Sequence, residues 1–294
     1  MDARSILLRE AIDDAGLFPP ARKPLARAVA DHGAARRSAA GWMLGRFLCP
    51  VSRLREAAGV VRARWPLGVV LDAAGGDWLT GVRSDLALWA SSAGSASATA
   101  FELRLPHDAV DRPAITDLVT CLERAGVGDR IVFLEVPGHD PDTVRAALAS
   151  IARTAGGRRL GAKLRCGGVV AEAFPPSCAV ATFIDEARRL GLPFKATAGL
   201  HHPFRTREAA LGVLQHGFVN LLAATALVEA DPLEVVEEKD PSAFHIDADG
   251  LAWRDHRADA AALAAARRRF VAFGSCSFDE PVADLGLVLD GATP

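Results

Sequence analysis

The chain has 294 residues, of which 50% are apolar and 24% are charged, so it can bury a sizeable core as an ordinary globular protein. Its formal net charge of −2 argues against a nucleic-acid partner, which usually requires a basic excess. The five cysteines are scattered and show no CxxC pairing, which argues for a reducing compartment rather than a disulfide framework or a zinc ribbon. No apolar run approaches the roughly 18 residues of a membrane span. Acidic residues also come too early for a secretory signal, so we expect a cytoplasmic protein.

Eight short apolar runs alternate with longer stretches rich in Ala, Leu and Arg that have a helical period, which is typical of repeated βα units. The first run is ambiguous between strand and helix. The predicted strands lie over residues 5–16, 42–50, 66–76, 99–106, 130–138, 159–168, 193–200 and 269–278. Amphipathic helices are predicted over 113–128, 141–157 and 179–193, and each of them stops at glycine.

Eight βα units in one chain of this length predict an α/β fold, the (β/α)8 or TIM barrel. The competing fold is a doubly wound open sheet, but no GxGxxG follows an early strand. We expect residues 1–294 to form a single domain. A long excursion over 203–268 separates strands seven and eight and serves as a lid or an oligomer contact. It is predicted to contain a long helix (207–230), an acidic turn (231–241) and a hairpin (244–255) with Asp-Gly at its tip.

Lysine is rare in this chain, since only four of the 34 Lys and Arg residues are lysines. Two of these four, Lys163 and Lys195, fall inside predicted strands six and seven. Arginine keeps its proton near neutral pH, whereas a desolvated lysine can lose it. These two positions therefore indicate chemistry that needs a neutral amine.

Barrel enzymes carry their chemistry at the carboxyl ends of the strands, so the polar residues near those ends are the candidates. Residues two apart on a strand share a face, which places Lys163 with Arg165 and Glu102 with Arg104. Glu135 is the first candidate for a general acid or base, followed by Glu102 and Asp13. The alternative is that these acids only form structural salt bridges with the lysines. Arginine binds carboxylate or phosphate groups bidentately, and four arginines are candidates for anion binding: Arg46, Arg104, Arg165 and Arg205.

Three segments near the end of the predicted barrel carry a further pattern. They are KLRCGG on strand six, KATAGLHHPFRT on strand seven and FGSCSF on strand eight. In this order they resemble the deoxyribose-phosphate aldolase type of class I aldolase. The resemblance implies that Lys163 forms an imine with the substrate and that Lys195 lowers its pKa. It also implies an anion site at Gly274, Ser275 and Ser277. The alternative is that these segments mark a separate barrel family with no assigned activity.

A neutral amine attacks a carbonyl carbon, and the resulting protonated imine withdraws electrons. An ordinary lysine has a pKa of about 10.4. A second cation and apolar walls therefore have to lower the pKa before the amine is neutral near neutral pH. The function predicted is that of a lyase of the aldolase type, acting on a small anionic carbonyl compound or sugar phosphate without a cofactor. We expect no membrane partner, and a homo-oligomer is compatible with the sequence.

The sequence also permits two alternative functions. His201, His202 and His216 could bind a divalent metal in a hydrolase or isomerase, although no HxH or HExxH spacing is present. Without a metal, His201 and His202 are instead candidates for the substrate or anion site. Adjacent histidines in an extended chain point in opposite directions, so only one of these two is expected to line the site while the other is solvated. His216 is expected to share a helix face with Asn220. The other alternative is a non-catalytic barrel that acts as a binding subunit.

Overall fold

The computed structural model describes residues 2–58, 65–72, 77–92, 98–155 and 159–289. Eight parallel strands close into a barrel, because the last of them along the chain pairs with both the seventh and the first. The strands of the barrel are β1 (Ile12–Asp14), β2 (Leu44–Pro50), β3 (Leu67–Val70), β4 (Ala98–Arg104), β5 (Ile131–Glu135), β6 (Leu160–Arg165), β7 (Phe194–Thr197) and β13 (Phe270–Ser275). The predicted α/β class and (β/α)8 barrel are therefore confirmed.

Helices surround this barrel and connect its strands. They are α1 (Ala3–Leu8), α2 (Leu25–Arg37), α3 (Leu54–Ala58), α4 (Trp78–Ser92), α5 (Arg112–Arg124), α6 (Pro141–Thr154), α7 (Ser177–Leu190), α8 (Phe218–Ala226), α9 (Pro232–Glu237), α10 (Ala260–Arg269) and α11 (Asp279–Leu289). Short 3-10 turns lie at Gly41–Met43, Val51–Arg53, Ala171–Ala173 and Pro241–Ala243. None of the helices in the described ranges has the length and hydropathy needed to cross a bilayer.

Local sequence signals explain where these helices begin and end. Asp140 caps α6, because its carboxylate accepts a hydrogen bond from the Thr143 amide at 2.8 Å, and Pro141 follows at a position that needs no amide proton. The helix α7 ends at Gly191, whose φ of +67° is accessible to glycine without a steric cost. These signals set the start of α6 and the end of α7.

The ambiguous first segment contains both kinds of element, since α1 is followed directly by the short strand β1. The third predicted strand is observed only as Leu67–Val70, and its predicted end at 73–76 lies outside the described residues. The predicted end of α6 at Gly156 and Gly157 also lies outside them.

The excursion differs most from the prediction. Residues 207–230 are not one helix: β8 (Thr206–Glu208) and β9 (Val213–Gln215) form an antiparallel hairpin, and the much shorter α8 follows. Glycine explains the difference, because Gly212 turns the hairpin with a φ of +68° and Gly217 sits before α8. A Cβ atom on Gly217 would lie only 2.4 Å from the carbonyl oxygen of Pro203.

The later part of the excursion is closer to the prediction. The predicted acidic turn contains α9, which begins at Pro232 after the capping residue Asp231. The predicted hairpin is confirmed as β10 (Phe244–Ile246) paired with β11 (Gly250–Trp253), and β12 (His256–Asp259) adds a third strand. The assignment of residues 1–294 to a single domain stays a prediction.

Candidate functional site

The register of three neighbouring strands brings the predicted charges together inside the barrel. Glu135 on β5 lies opposite Lys163 on β6, and Lys163 lies opposite Lys195 on β7. Residues opposite each other on adjacent parallel strands project to the same face of the sheet. All three side chains therefore enter the barrel interior, where they are at most 7% exposed.

Lys163 is held between two carboxylates. Its Nζ lies 2.9 Å from Oε2 of Glu102 and 3.1 Å from Oε2 of Glu135. The guanidinium of Arg165 donates from Nε to the other oxygen of Glu135 at 2.9 Å. The prediction that Lys163 and Arg165 share a face agrees with this geometry, since both contact the same acid.

Lys195 lies deeper and is fully buried. Its ammonium donates to Oδ2 of Asp13 and to Oε1 of Glu102, each at 2.5 Å. Glu102 therefore bridges the two lysines with its two oxygens. Asp13 also accepts a hydrogen bond from the Arg46 amide at 2.7 Å. Positive and negative groups alternate along this chain of contacts, so each buried charge has an opposite partner.

These contacts set the ionisation states. Burial alone would raise the pKa of Glu102, but the ammonium groups of Lys163 and Lys195 outweigh it and lower the pKa to about 2. Burial alone would lower the pKa of Lys163, but Glu102 and Glu135 outweigh it and raise the pKa above its ordinary value. The expectation that Lys195 lowers the pKa of Lys163 is therefore wrong. The shared carboxylate lies between the two ammonium groups, and the carboxylates dominate.

A cavity of about 720 Å³ lies at the carboxyl ends of the strands. Lys163, Glu102 and Glu135 form part of its lining, and Arg104 and Arg165 stand at its wall. Lys163 is thus accessible from the cavity, while Lys195 is buried behind it. We call this space the mouth cavity.

Two of the predicted anion-binding arginines lie elsewhere. Arg46 is the third residue of β2, so it sits near the amino end of the barrel, where its Nε donates to Oγ1 of Thr99 at 3.2 Å. Arg205 lies in the loop after β7, and its guanidinium donates to the hydroxyl of Ser177. Neither residue lines the mouth cavity. The sequence could not predict this, because a position in or near a strand does not show which end of the barrel a long side chain reaches.

The hydroxyl groups of Ser275 and Ser277, at and just after the end of β13, form hydrogen bonds with the backbone. Ser275 is buried and donates to the carbonyl oxygen of Ser277 at 2.6 Å, while the hydroxyl of Ser277 accepts the Glu280 amide at the start of α11. The mouth cavity is lined instead by Gly274, near the end of β13, and by Cys276, which follows the strand. Burial raises the pKa of the Cys276 thiol, which disfavours a thiolate nucleophile near neutral pH.

His201 and His202 both line the mouth cavity and both face α11. The Nδ1 atom of His201 lies 3.0 Å from Glu280, and that of His202 lies 2.6 Å from Asp284, one helical turn further on. The expectation that they point in opposite directions is wrong, because the chain is not extended here. Ala198 and Gly199, which precede them, have φ values of 59° and 67°.

The histidine ligand set proposed for a metal is not brought together. His216 precedes α8 rather than lying on a helix face with Asn220, and its Nε2 lies 2.8 Å from the carbonyl oxygen of Pro175. Burial lowers the pKa of His216 to about 4. Within the described ranges, no three His, Cys, Asp or Glu side chains are grouped so that they could hold a metal ion.

Several cavity-lining residues were missed by the sequence. The hairpin β8–β9 reaches the mouth cavity with Glu208 and Gln215, whose side chains are joined by a 3.1 Å hydrogen bond, and Phe18 and Phe174 add aromatic walls. Gly212 lies between two short runs of apolar or charged residues and could have predicted the turn of the hairpin. The helical period of the surrounding residues favoured a helix instead. No signal identified the two aromatic residues.

Comparisons with known proteins agree with the architecture. No family model and no curated protein matches the chain. Deoxyribose phosphate aldolase from Aeropyrum pernix, described as tetrameric, has a similar structure at 14% identity with a TM-score of 0.53, over 97% of this chain and 99% of that one. A putative phosphonomutase from Burkholderia cenocepacia aligns at 16% identity with a TM-score of 0.40, over 66% of this chain and 82% of that one. At 14% identity, the likeness to the Aeropyrum pernix enzyme shows the fold alone.

Proposed function

We propose that the protein is an enzyme of the class I aldolase type, a lyase in which Lys163 forms an imine with a small anionic carbonyl compound or sugar phosphate. The observation that carries the proposal is the position of Lys163. It is the one lysine, among the described residues, that lines the mouth cavity, and its ammonium touches two carboxylates that can move protons. The pattern of the segments on β6, β7 and β13 supports the same chemistry, and the barrel fold is compatible with it.

The proposed reaction begins when Lys163 gives a proton to Oε2 of Glu135. The other oxygen of Glu135 accepts a hydrogen bond from Arg165 at the wall of the mouth cavity. The neutral amine then attacks the carbonyl carbon, so that a C–N bond forms and the carbonyl oxygen becomes a hydroxyl group with the proton returned from Glu135. Loss of water gives the protonated imine. The Glu135 carboxylate then takes the proton of the hydroxyl group on the β-carbon; as the C–C bond breaks, this carbon becomes an aldehyde carbonyl and the protonated imine takes up the electron pair as an enamine. Glu135 returns the proton to the enamine carbon, and addition of water to the imine releases the second carbonyl product and regenerates the Lys163 ammonium.

Anion recognition would come from the arginines at the wall of the mouth cavity. Arg104 is exposed, and Arg165 is only partly engaged by Glu135, so both have donors for a carboxylate or phosphate group. Gly274 also lines the mouth cavity. The proposal therefore includes a small anionic substrate, while a homo-oligomer stays a prediction.

Borohydride trapping tests the imine directly. The protein is incubated with pyruvate, dihydroxyacetone phosphate or deoxyribose 5-phosphate and then reduced, and the modified peptide is identified by mass. We expect a stable adduct on Lys163 with at least one of these probes, because only an imine is reduced to a secondary amine. Adducts confined to exposed lysines such as Lys239 would contradict the proposal.

The non-catalytic alternative is favoured by one observation, since the carboxylates satisfy both lysines and raise the pKa of Lys163. A purely structural network would give no adduct on Lys163 with any probe at any pH. The two functions therefore predict different outcomes of the same trapping experiment.

The pH dependence of trapping follows from the raised pKa of Lys163. Below that pKa, the neutral amine fraction increases about tenfold for each pH unit, so the single-turnover rate of adduct formation should rise continuously from about pH 6 to about pH 10. Pyruvate is the suitable probe, since its carboxylate stays ionised over this range. A plateau reached near neutral pH would mean that the lysine is already neutral there, contrary to this prediction.

A further inference from the structure

The amino end of the barrel has a second concave surface, on the side away from Lys163. It encloses about 590 Å³ and is lined by the first residues of the strands, including Ile131, Leu160 and Val271. Five arginines complete the lining: Arg46, Arg159, Arg267, Arg268 and Arg269. We call this surface the arginine hollow. Its volume falls within the range of about 300–1,000 Å³ that is usual for small-molecule sites.

The positive charge of the arginine hollow is only partly compensated. No acidic residue is among the described residues that line it. The carboxylate of Asp13 lies 3.7 Å from Nη1 of Arg46, and this acid is already bound to Lys195. Glu10 also acts on Arg267 through its charge. Arg159 and Arg268 are exposed and form no ion pair with any described residue.

Backbone carbonyls hold two of the guanidinium groups in place. Arg267 donates to the carbonyl oxygens of Phe270, of Val271 at 2.8 Å and of Arg9 at 3.0 Å. Arg269 donates to the carbonyl oxygen of Gly191 at 2.7 Å, at the end of α7. Such contacts orient a guanidinium without neutralising it. They leave a preorganised cationic surface, which lowers the entropic cost of binding an anion.

One donor in this group is both buried and unused. The Nε–H of Arg267 has no hydrogen-bond partner in the described chain. Burial and the nearby charge of Arg46 lower the pKa of Arg267 to about 10, despite the opposing effects of Asp13 and Glu10. A partly buried cation with an unsatisfied donor is costly for a protein, and the charge of a nearby anion would offset part of that cost.

We propose that the arginine hollow is a binding site for a small polyanion that carries two or more phosphoryl groups. Guanidinium groups bind phosphoryl oxygens through paired, charge-assisted hydrogen bonds, and several of them on one surface favour a ligand with several such oxygens. The site is separate from the mouth cavity, so its ligand is not the substrate bound at Lys163. The binding proposed here does not depend on the proposed aldolase chemistry.

Calorimetric titration with pyrophosphate tests the site. The titration uses the Arg104→Ala/Arg165→Ala variant, in which the mouth cavity has lost its arginines, so that the remaining binding reports on the arginine hollow. We expect this variant to bind pyrophosphate at low ionic strength. Adding Arg159→Ala and Arg268→Ala should weaken the affinity by about tenfold or more. Both added positions are exposed, so the melting temperature should stay close to that of the parent.

A matched control adds Arg83→Ala and Arg124→Ala instead, which removes the same net charge from two exposed arginines outside the arginine hollow. This control should retain the affinity of its parent. If the affinity for pyrophosphate falls by the same factor in both quadruple variants, only the net charge of the protein matters, and the proposal is overturned. Absence of pyrophosphate binding to the Arg104→Ala/Arg165→Ala variant at millimolar concentrations would overturn it as well.

Discussion

Replacing Lys163 with arginine is expected to abolish imine trapping and to reduce any lyase activity by roughly 10⁴-fold or more, the scale expected when a covalent nucleophile is removed. Arginine keeps a cation between Glu102 and Glu135, so the two buried carboxylates retain an opposite charge. Its guanidinium stays protonated in proteins and cannot form the imine. The change therefore separates the proposed chemistry from the ion-pair network. The measurement is the yield of reduced adduct together with the rate of substrate cleavage.

The matched control for this variant is Lys239→Arg, which changes an exposed lysine in the excursion. It should trap and turn over substrate like the parent protein. Chemical denaturation of Lys163→Arg shows whether the fold survives. A folded Lys163→Arg protein that still cleaves substrate at the parental rate would eliminate Lys163 as the nucleophile.

Replacing Glu102 with glutamine is expected to lower the free energy of unfolding by about 3–5 kcal/mol, as for other broken buried ion pairs. Glu102 is fully buried and its two oxygens contact the ammonium groups of Lys163 and Lys195. Glutamine preserves the shape but removes the negative charge, which leaves two buried cations to share Asp13 and Glu135. Denaturant unfolding at neutral pH measures the effect.

The control for this change is Glu56→Gln, because Glu56 forms an exposed pair with Arg53 within one helical turn. Its loss should change the stability by less than about 0.5 kcal/mol. A second readout concerns the imine. Glu102 is the main charge that raises the pKa of Lys163, so trapping in Glu102→Gln should accelerate at lower pH than in the parent. Unchanged stability and an unchanged pH profile would together contradict the bridging role of Glu102.

The sequence by itself was sufficient to predict the barrel fold and the charged residues that point into its interior. Alternating strand and helix periods, with glycine or proline after most strands, specify eight βα units, since each period follows from how side chains leave the backbone. The same two-residue period placed Lys163 with Arg165, and both do contact Glu135. These features depend on local geometry, which neighbouring residues determine.

The sequence periodicity led to a wrong prediction where a few glycines interrupt a segment that otherwise has a helical period. Residues 207–230 have the composition of a helix, yet Gly212 and Gly217 interrupt them. The β8–β9 hairpin forms instead and contributes residues to the lining of the mouth cavity. The short loop from Ala198 to Gly199 likewise turns His201 and His202 toward the same helix.

Only the tertiary structure decided the charge states and the ends of the barrel at which the arginines lie. The sequence shows that two lysines and three acids face inward, but not that Glu102 lies between Lys163 and Lys195. That contact joins residues from β4, β6 and β7, and it raises the pKa of Lys163 where a neighbouring cation alone would have lowered it. Charge–charge energies depend on distances of a few ångströms across the closed barrel, and only the assembled register of the strands specifies such distances.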